Sequence, residues 1–380
     1  MSVTADHESP RRSLTARELE AFRLELDALR ERIREDLGER DARYIRRMIK
    51  RQRQAELAGR ACLFVPPLWA AGTGLLTLSK ILEVMEIGHN VMHGQYDFMN
   101  DPALRGRNYE WDWACPGDQW RHTHNYLHHV FANVVGEDRD VGYGLLRMAE
   151  EQPWHAGYLL QPLYAVGLAL AFELGVAVHH LELNRVLRQE KSLAEFVEHA
   201  RPVVRKLSSQ LFKDYVAFPG LAGPAAPFVF SGNLTANVLR NVWAFAVIFC
   251  GHFPDGTQTY GREQAADESR GAWYLRQIAG SANIEGPRWL HVLTGHLSHQ
   301  IEHHLFPDVP AARYPEIAPE VRALCQKYGV RYTSGPFTRQ LGQTLKKIAR
   351  FALPSRSPAL VPTAKPPVTR PREVASAHAA

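Results

Sequence analysis

Residues 61–93 read ACLFVPPLWAAGTGLLTLSKILEVMEIGHNVMH, and this stretch sets the expectation for the fold. Its first part, from Ala61 to Ser79, carries no charge. As a helix, residues 61–86 would measure about 39 Å, enough for one crossing of a hydrocarbon core about 30 Å thick. The stretch then ends in two histidines, His89 and His93, four positions apart. One such pair is weak evidence for a metal site by itself, and the placement of the other histidines decides the question.

Two further segments are almost free of charge. Residues 153–172 contain no charged residue apart from His155, and the apolar run continues to Val178. Residues 215–254 contain only one charge, Arg240, and are long enough to cross, turn at 223–227 or 231–233, and return. Core helices of a large soluble protein are the alternative, but the runs are too long and charge-free for amphipathic helices. We expect an all-α integral membrane protein.

The histidines are clustered rather than scattered. The chain has 18 of them in 380 residues, and ten fall into three groups. Positions four apart on a helix share one face, so spaced histidines can point at one ion. Imidazole suits iron, zinc, copper and nickel, and the groups offer more nitrogens than one four-coordinate zinc needs. Two metal ions or one large site are expected from His89 and His93, from His122, His124, His128 and His129, and from His296, His299, His303 and His304.

The N-terminal part is polar and basic. Thr15-x-x-Glu18 predicts a helix start, and an apolar stripe then runs from Phe22 to Leu37. Eight Arg and Lys residues follow between positions 40 and 60. The net charge is +5, but this basic run adjoins the first apolar segment, which favours a cytoplasmic juxtamembrane patch over nucleic-acid binding. The first 30 residues contain no apolar core of a signal peptide, and the four cysteines form no CxxC pair, so reduced thiols are expected.

Three motifs carry a resemblance to a known family. HNVMH at 89–93, HNYLHH at 124–129 and QIEHH at 300–304 resemble, in order and placement, the three histidine boxes of the membrane fatty acid desaturase superfamily. The resemblance extends from about Arg60 to Tyr332. The glutamine that opens the third box, followed by Leu-Phe-Pro, is similar to front-end desaturases and to bacterial acyl-CoA or acyl-lipid desaturases.

The resemblance implies a site and a chemistry. Members bind two irons, activate dioxygen and remove two hydrogens from an acyl chain, which would lie in an apolar tunnel. They have about four transmembrane helices and a cytoplasmic helical cap that holds the irons. The ligands implied here are His89, His93, His124, His128, His129, His252, His303 and His304. Gln300 stands where many members have histidine, so its coordination is in question, and the adjacent His299 could substitute for it.

Further residues are candidates for holding the ligands. A metal-bound histidine usually donates its other N–H to a carboxylate or carbonyl. Glu86, Asp138, Asp140 and Glu302 are the candidate carboxylates, with solvated surface acids as the alternative. His122 and His296 are expected to lie behind the ligands or at the surface.

The sequence also predicts how the chain is divided and which partners it needs. Composition and charge predict a polar and basic N-terminal cytoplasmic segment at 1–60 and a disordered tail at 354–380. Between them we expect a membrane desaturase-type catalytic domain at 61–335, implied by the resemblance, and a C-terminal helix at 336–353. No His-Pro-Gly-Gly haem motif or glycine fingerprint is present, so electrons would come from a separate ferredoxin or flavoprotein reductase. The expected substrate is an acyl-CoA or acyl lipid, in contact with membrane lipid and without nucleic acid. The expected location is the inner membrane, with the site facing the cytoplasm.

Several alternatives stay open at this point. A hydroxylase, epoxygenase or ketolase would use the same boxes, and a non-catalytic metal-binding membrane protein would bind metal without turnover. A soluble carboxylate-bridged bundle needs two Glu-x-x-His motifs, and only Glu86-x-x-His89 is found. Topology poses a further question, because an even number of crossings must separate the basic stretch from the first box. Pro66-Pro67 could provide it by breaking the segment into a short hairpin or a re-entrant segment.

Overall fold

The computed structural model describes residues 14–354 except Arg188, and this part of the chain is helical. The polar residues 1–12 and the expected disordered tail beyond Pro354 lie outside the described residues. Two short parallel strands, β1 (Asn283–Glu285) and β2 (Ser334–Pro336), pair with each other. The α-helices are α1 (Ala16–Glu35), α2 (Glu39–Leu63), α3 (Trp69–Ile81), α4 (His89–Met92), α5 (Gly117–Arg121), α6 (His129–Phe131), α7 (Gln161–Leu170), α8 (Phe172–His179), α9 (Leu183–Leu187), α10 (Leu193–Phe212), α11 (Phe218–Leu221), α12 (Ala226–His252), α13 (Arg262–Ala265), α14 (Arg270–Ala279), α15 (Arg288–Leu293), α16 (Gln300–Leu305), α17 (Tyr314–Tyr328) and α18 (Phe337–Ala352).

Other helical turns connect these elements. Three are π-helical, with wider turns than the α-helix: Leu82–Gly88, His122–His128 and Lys213–Ala217. Eight are 3₁₀ turns: Pro66–Leu68, Asp97–Met99, Pro102–Leu104, Gly142–Gly144, Ala156–Leu160, Gly223–Ala225, Leu297–His299 and Ala311–Arg313.

The described residues contain two or three candidate membrane spans, consistent with the expected helical membrane protein. Two helical stretches, Pro66–Met92 and Gly223–His252, are long and apolar enough to span a membrane. A bent pair, Ala156–Leu170 with Phe172–His179, counts as a third if it is one span, although its halves meet at 100°. The expectation was about four. In residues 215–254, α12 runs unbroken through Ser231-Gly-Asn, so of the two expected turns the chain uses the one at Gly223–Ala225.

The proline pair does form a hairpin. α2 ends at Leu63, the 3₁₀ turn Pro66–Leu68 reverses the chain, and α3 packs back along α2. Gly59 and Gly72 allow this close approach, since a Cβ on Gly59 would lie 2.8 Å from the backbone nitrogen of Leu76. Ile45 of the basic stretch and Ile87 beside the first box therefore share one buried cluster. Of the two arms of this hairpin, only the α3 arm belongs to a stretch that is long and apolar enough to span a membrane, Pro66–Met92.

Charges inside the apolar segments are paired. Arg240, the single charge of residues 215–254, forms a buried ion pair with Glu173 at the bend between α7 and α8. The Lys80 ammonium lies 2.8 Å from the Asp214 carboxylate, and the Arg60 guanidinium lies 3.4 Å from the same carboxylate. Such pairing removes most of the cost of placing ionised groups in an apolar environment.

The N-terminal helices support the third histidine box. Thr15 and Glu18 form the predicted capping box, and Phe22, Leu26, Leu29 and Ile33 are buried as predicted. These side chains share a cluster with residues of α14, α16 and α17. At the entrance to α17, Arg313 makes a two-bond ion pair with Asp41, with N–O distances of 2.6 and 2.8 Å, and both side chains are buried. The N-terminal segment is thus part of the scaffold of the site.

We predict that Arg313→Ala destabilises the protein far more than Arg32→Ala. Removal of Arg313 leaves Asp41 buried and unpaired, which costs about 3–5 kcal/mol in comparable pairs. Arg32 pairs with Glu320 on the same helix, α17, but both side chains are about half exposed, and such pairs contribute about 0–1 kcal/mol. Thermal unfolding in detergent measures both variants, and equal shifts of the midpoint would contradict the prediction.

Candidate metal centre

Two of the three histidine boxes begin at π-helical turns. Leu82–Gly88 leads directly into His89, and His122–His128 contains most of the second box. A π turn inserts one residue per turn and changes the direction of the side chains that follow, and such turns are frequent at functional sites. The rings of His124 and His128 still stack, with centroids 5.0 Å apart. The four-residue spacing therefore keeps these two side chains on one face.

The predicted ligands converge from four separate parts of the chain. His89, His93, His124 and His303 bring one donor atom each to within 4.8 Å of one another. His128, His252 and His304 form a second group of this kind, and His124, His128 and Asp140 form a third. His129 lies between the first two groups, with its ring 4.7 Å from that of His303 and 4.5 Å from that of His304. All eight histidines thus form one cluster.

The donor nitrogens of the cluster are arranged to bind a metal rather than to form hydrogen bonds with one another. In the described chain, Nε2 of His89, His93, His124 and His303 and both ring nitrogens of His129 are buried without a hydrogen-bond partner. A buried polar atom left unpaired costs about 1–3 kcal/mol. His252 and His304 even direct their Nε2 atoms at each other, 3.3 Å apart. Ions that prefer imidazole would satisfy these lone pairs.

Burial keeps most of these imidazoles neutral. It lowers the pKa of His93, His124, His129, His303 and His304 well below 6.5, and the neighbouring histidines lower these pKa values further. Neutral imidazole is the form that binds metal. The cluster is therefore prepared to bind cations without first losing many protons.

His128 is oriented by a carboxylate, as the sequence suggested. Its Nδ1 lies 3.0 Å from Asp138 Oδ1, and Asp138 also accepts from the backbone N–H groups of Asn133 and Asp140. Burial lowers the pKa of His128, but Asp138 outweighs it and raises that pKa to about 9. Asp140 lies 3.7 Å from His124 Nδ1 and 3.8 Å from His128 Nδ1, and burial raises its pKa to about 7. Both aspartates therefore belong to the site.

Three residues that orient other ligands were missed by sequence reasoning. His304 Nδ1 lies 2.9 Å from Gln277 Oε1, and the Gln277 amide also donates to the backbone carbonyl of His129. His89 Nδ1 lies 3.1 Å from Asn90 Oδ1. His303 Nδ1 faces the Tyr314 hydroxyl at a longer 3.4 Å. Gln277 and Tyr314 come from α14 and α17, and no local spacing links them to the boxes. Asn90 stands inside the first box, where its position was the available signal.

Two of the predicted carboxylates serve other partners. Glu86 accepts from the Tyr44 hydroxyl at 2.6 Å and contacts His296 Nδ1 at 3.1 Å, so it holds His296 rather than His89. Glu302 accepts from Asn283 and Tyr332, each at 2.7 Å. Glu86 lies in the wide π turn, which rotates it away from His89, and Glu302 is one position round its helix from His303. Glu302 instead anchors α16 to β1.

Of the remaining candidates, one contacts the cluster and the others lie away from it. Gln300 lies against the cluster, with its amide nitrogen 2.9 Å from His252 Nε2. His299 lies outside the three groups, its ring 4.7 Å from that of His291, so the substitution of His299 for Gln300 is not supported. Because His299 is one position before Gln300 in the chain, its side chain points away from the cluster. His122 is exposed and stacks on Tyr126.

An aromatic and apolar cavity adjoins the cluster. The Trp120 ring stacks on His124 with centroids 4.3 Å apart, and Trp111 lies 5.2 Å from Trp120. Tyr143 also lines the cavity, with a φ of 55° that a tyrosine rarely adopts. The lining residues are Val84, Met85, His89, Trp111, Trp113, Trp120, His124, His128, Asp140, Tyr143, Val176, His180, Ile248, His252, Leu297 and Gln300. An apolar group would therefore meet the metal ligands in this cavity.

Comparison with known proteins agrees with this site. The family described as fatty acid desaturase matches residues 65–336. An NADPH-dependent stearoyl-CoA 9-desaturase of Mycobacterium tuberculosis is 44% identical over 350 residues, which cover 90% of this chain and 82% of that protein. An sn-1 linoleoyl-lipid 6-desaturase of Synechocystis is 28% identical over 72% of this chain and 78% of its own length. Human fatty acid desaturase 3 is 26% identical over 61% of this chain and 49% of its own length.

We predict that Asp138→Asn lowers metal affinity about 10- to 100-fold, the usual effect of removing a residue that orients a ligand. Glu137→Gln is the matched control, because Glu137 pairs with Arg262 instead of a histidine. Metal titration of the purified variants measures the effect. Equal affinities for the two variants would show that Asp138 does not hold a ligand.

We also predict that His303→Ala binds less metal than wild type, whereas His299→Ala binds as much as wild type. The first substitution removes a donor from the four-histidine group, and the second removes a ring that faces His291. Elemental analysis of both purified variants measures the difference. Metal loss in His299→Ala with a folded protein would restore His299 as a ligand.

Proposed function

Because the chain belongs to the fatty acid desaturase family and is thus an oxidoreductase that desaturates fatty acyl chains, we propose that it does so with dioxygen at a centre of two iron ions. The observation that carries this proposal is the buried cluster of eight histidines, most of them neutral, whose donor atoms lie close together. Two irons held there would supply the oxidising power that removal of hydrogen from an unactivated methylene requires.

The proposed ligands divide between the two ions. One ion is assigned to His89, His93, His124 and His303, and the other to His128, His252 and His304, with His129 between them. Imidazole-rich sites of this kind suit iron, and no cysteine takes part in the groups found in the described chain. Asp138, Gln277 and Asn90 contact one ring nitrogen of His128, His304 and His89, respectively. These contacts fix the direction of the other ring nitrogen, which would bind the ion. Gln300 is proposed to face the second ion rather than to bind it as histidine would.

We propose a long acyl chain as the substrate. The cavity presents tryptophan, tyrosine and branched aliphatic side chains next to His89 and His128, and it excludes charged groups other than Asp140. Its volume is about 40 Å³, so an acyl chain enters only when the lining side chains move apart. A stearoyl-CoA 9-desaturase is the relative that supports a CoA thioester, and a linoleoyl-lipid 6-desaturase supports an acyl lipid.

Electrons and location follow from the same set of observations. The NADPH dependence in the relative's name supports a nicotinamide-linked reductase, such as a flavoprotein or a ferredoxin with its reductase, as partner. The basic residues of α2 and the first histidine box lie on one side of the α2–α3 hairpin, which supports a site on the cytoplasmic face of the inner membrane. We keep residues 61–335 as the catalytic domain. α18 occupies nearly all of the expected C-terminal helix.

We predict that expression of the wild-type chain in a bacterium that makes only saturated fatty acids yields new monounsaturated chains. The product should be lighter than its precursor by two hydrogens, as mass spectrometry of the extracted fatty acids would show. His128→Ala should abolish both the product and the bound iron, and His299→Ala should retain both. A product that gains one oxygen atom would identify a hydroxylase and contradict the proposal.

A further inference from the structure

A cleft lies on the opposite face of the helix that carries the first histidine box. Val84 and Met85 line the cavity beside the metal cluster, whereas Glu83 and Ile87 line this cleft. Its volume is about 580 Å³, within the range of about 300–1,000 Å³ that is usual for small-molecule sites. The other lining residues are Arg46, Ile49, Lys50, Gln52, Arg53, Gln54, Leu57, Asp101, Ala103, Leu104 and Tyr109.

One wall of the cleft is basic. Arg46, Lys50 and Arg53 lie one turn apart along α2 and are exposed. Arg46 approaches Asp101 only at 3.9 Å, and among the described residues neither Lys50 nor Arg53 has an ion pair or a side-chain hydrogen bond. Arg60, further along the same helix, is paired with Glu56 and Asp214. Two cations are thus left without partners over a cleft with only two acidic residues, Glu83 and Asp101.

The floor of the cleft is largely apolar. Ile87 and Leu104 belong to the buried cluster beneath α2, and Ile49 and Tyr109 pack against it. A ligand that suits both walls has an anionic group for the lysine and arginine and an apolar or amide part for the floor. Arginine and lysine together are the usual partners of phosphate. An acyl carrier with a phosphate ester has this composition.

The cleft is also connected to the metal centre by one loop. Tyr109 lines the cleft, and Trp111 and Trp113, two and four residues later, line the cavity beside His89. A substrate whose head group occupies the cleft would need only to pass this loop to place its chain near the metal ligands. The α2–α3 hairpin is what brings the basic wall to this place.

We propose that this cleft binds the phosphate-bearing head group of the acyl substrate. The inference rests on the proposed function, and it extends that function by naming the residues, Lys50 and Arg53, that recognise the head group. The phosphate is that of coenzyme A in a soluble thioester or that of a membrane phospholipid. The recognition chemistry is the same in both, and the experiment separates them.

The experiment uses the full-length protein in nanodiscs of zwitterionic lipid. Coenzyme A without an acyl chain is the first probe, and its binding is measured by calorimetry. The double variant Lys50→Ala/Arg53→Ala should bind it at least about tenfold more weakly, since one hydrogen bond to a charged group contributes that much. Arg47→Ala/Arg51→Ala is the control, because these exposed arginines carry the same charge on α2 and do not line the cleft.

The second arm identifies a lipid source. Nanodiscs doped with phosphatidylglycerol are used without coenzyme A, and lipid that stays bound to the protein is counted by native mass spectrometry. Loss of bound lipid in the Lys50/Arg53 variant alone assigns the cleft to a phospholipid head group, and loss of coenzyme A binding alone assigns it to a thioester. Equal effects of the two double variants, or no effect in either arm, would overturn the proposal.

A turnover measurement separates this inference from the proposed function. An acyl thioester of N-acetylcysteamine lacks phosphate, so the Lys50/Arg53 variant should desaturate it as wild type does while its KM for acyl-CoA or acyl lipid rises. Absence of desaturation by wild type, with phosphate binding that still depends on Lys50 and Arg53, would reject the proposed function and leave the cleft as a phosphate site. Unchanged metal content and unfolding temperature in the variants confirm that they are folded.

Discussion

The structure depends on the burial of imidazole nitrogens that have no protein partner. Nitrogens of His89, His93, His124, His129 and His303 face one another in the interior. Each would cost about 1–3 kcal/mol if it stayed unpaired, and several of them together would destabilise a domain of ordinary stability. The arrangement persists because packing around it is extensive and because a metal can satisfy the lone pairs. The rest of the chain can be understood as the scaffold that brings these rings together and fixes their directions.

Close helix packing provides much of that scaffold. The contact between Gly59 and Gly72 lets α2 and α3 form a hairpin, and the hairpin places the first box beside the basic stretch. α1 packs against α14 and α17, which share a buried cluster with α16 and its third box. Arg313, immediately before α17, pairs with Asp41 of α2. Residues far from the metal cluster therefore determine its geometry, since a shift of either helix pair would move the ligands that it carries.

The charged side chains are of two kinds: those held in ion pairs and those without an ion-pair partner. Arg240 with Glu173, and Lys80 with Asp214, are ion pairs within apolar segments, where an isolated charge would be costly. The basic face of α2 keeps unpaired cations instead, next to a cleft that opens to solvent. The first kind of charge stabilises the fold, and the second is available to a ligand.

The sequence by itself determined the fold class, the family and the identity of the eight clustered histidines. Periodicity and uncharged length are local properties, and the boxes are local motifs, so they can be recognised without coordinates. Asp138 could also be predicted from the sequence as a residue that orients a ligand, because it closely follows the second box. Only the tertiary structure decided that Glu86 holds His296, that Glu302 anchors α16, and that Gln277 orients His304. These contacts join residues that are distant in the chain or that a π turn rotates, and spacing along the sequence carries no information about them. The tertiary structure likewise decided the hairpin and the number of candidate spans, because a helix break depends on what packs against it.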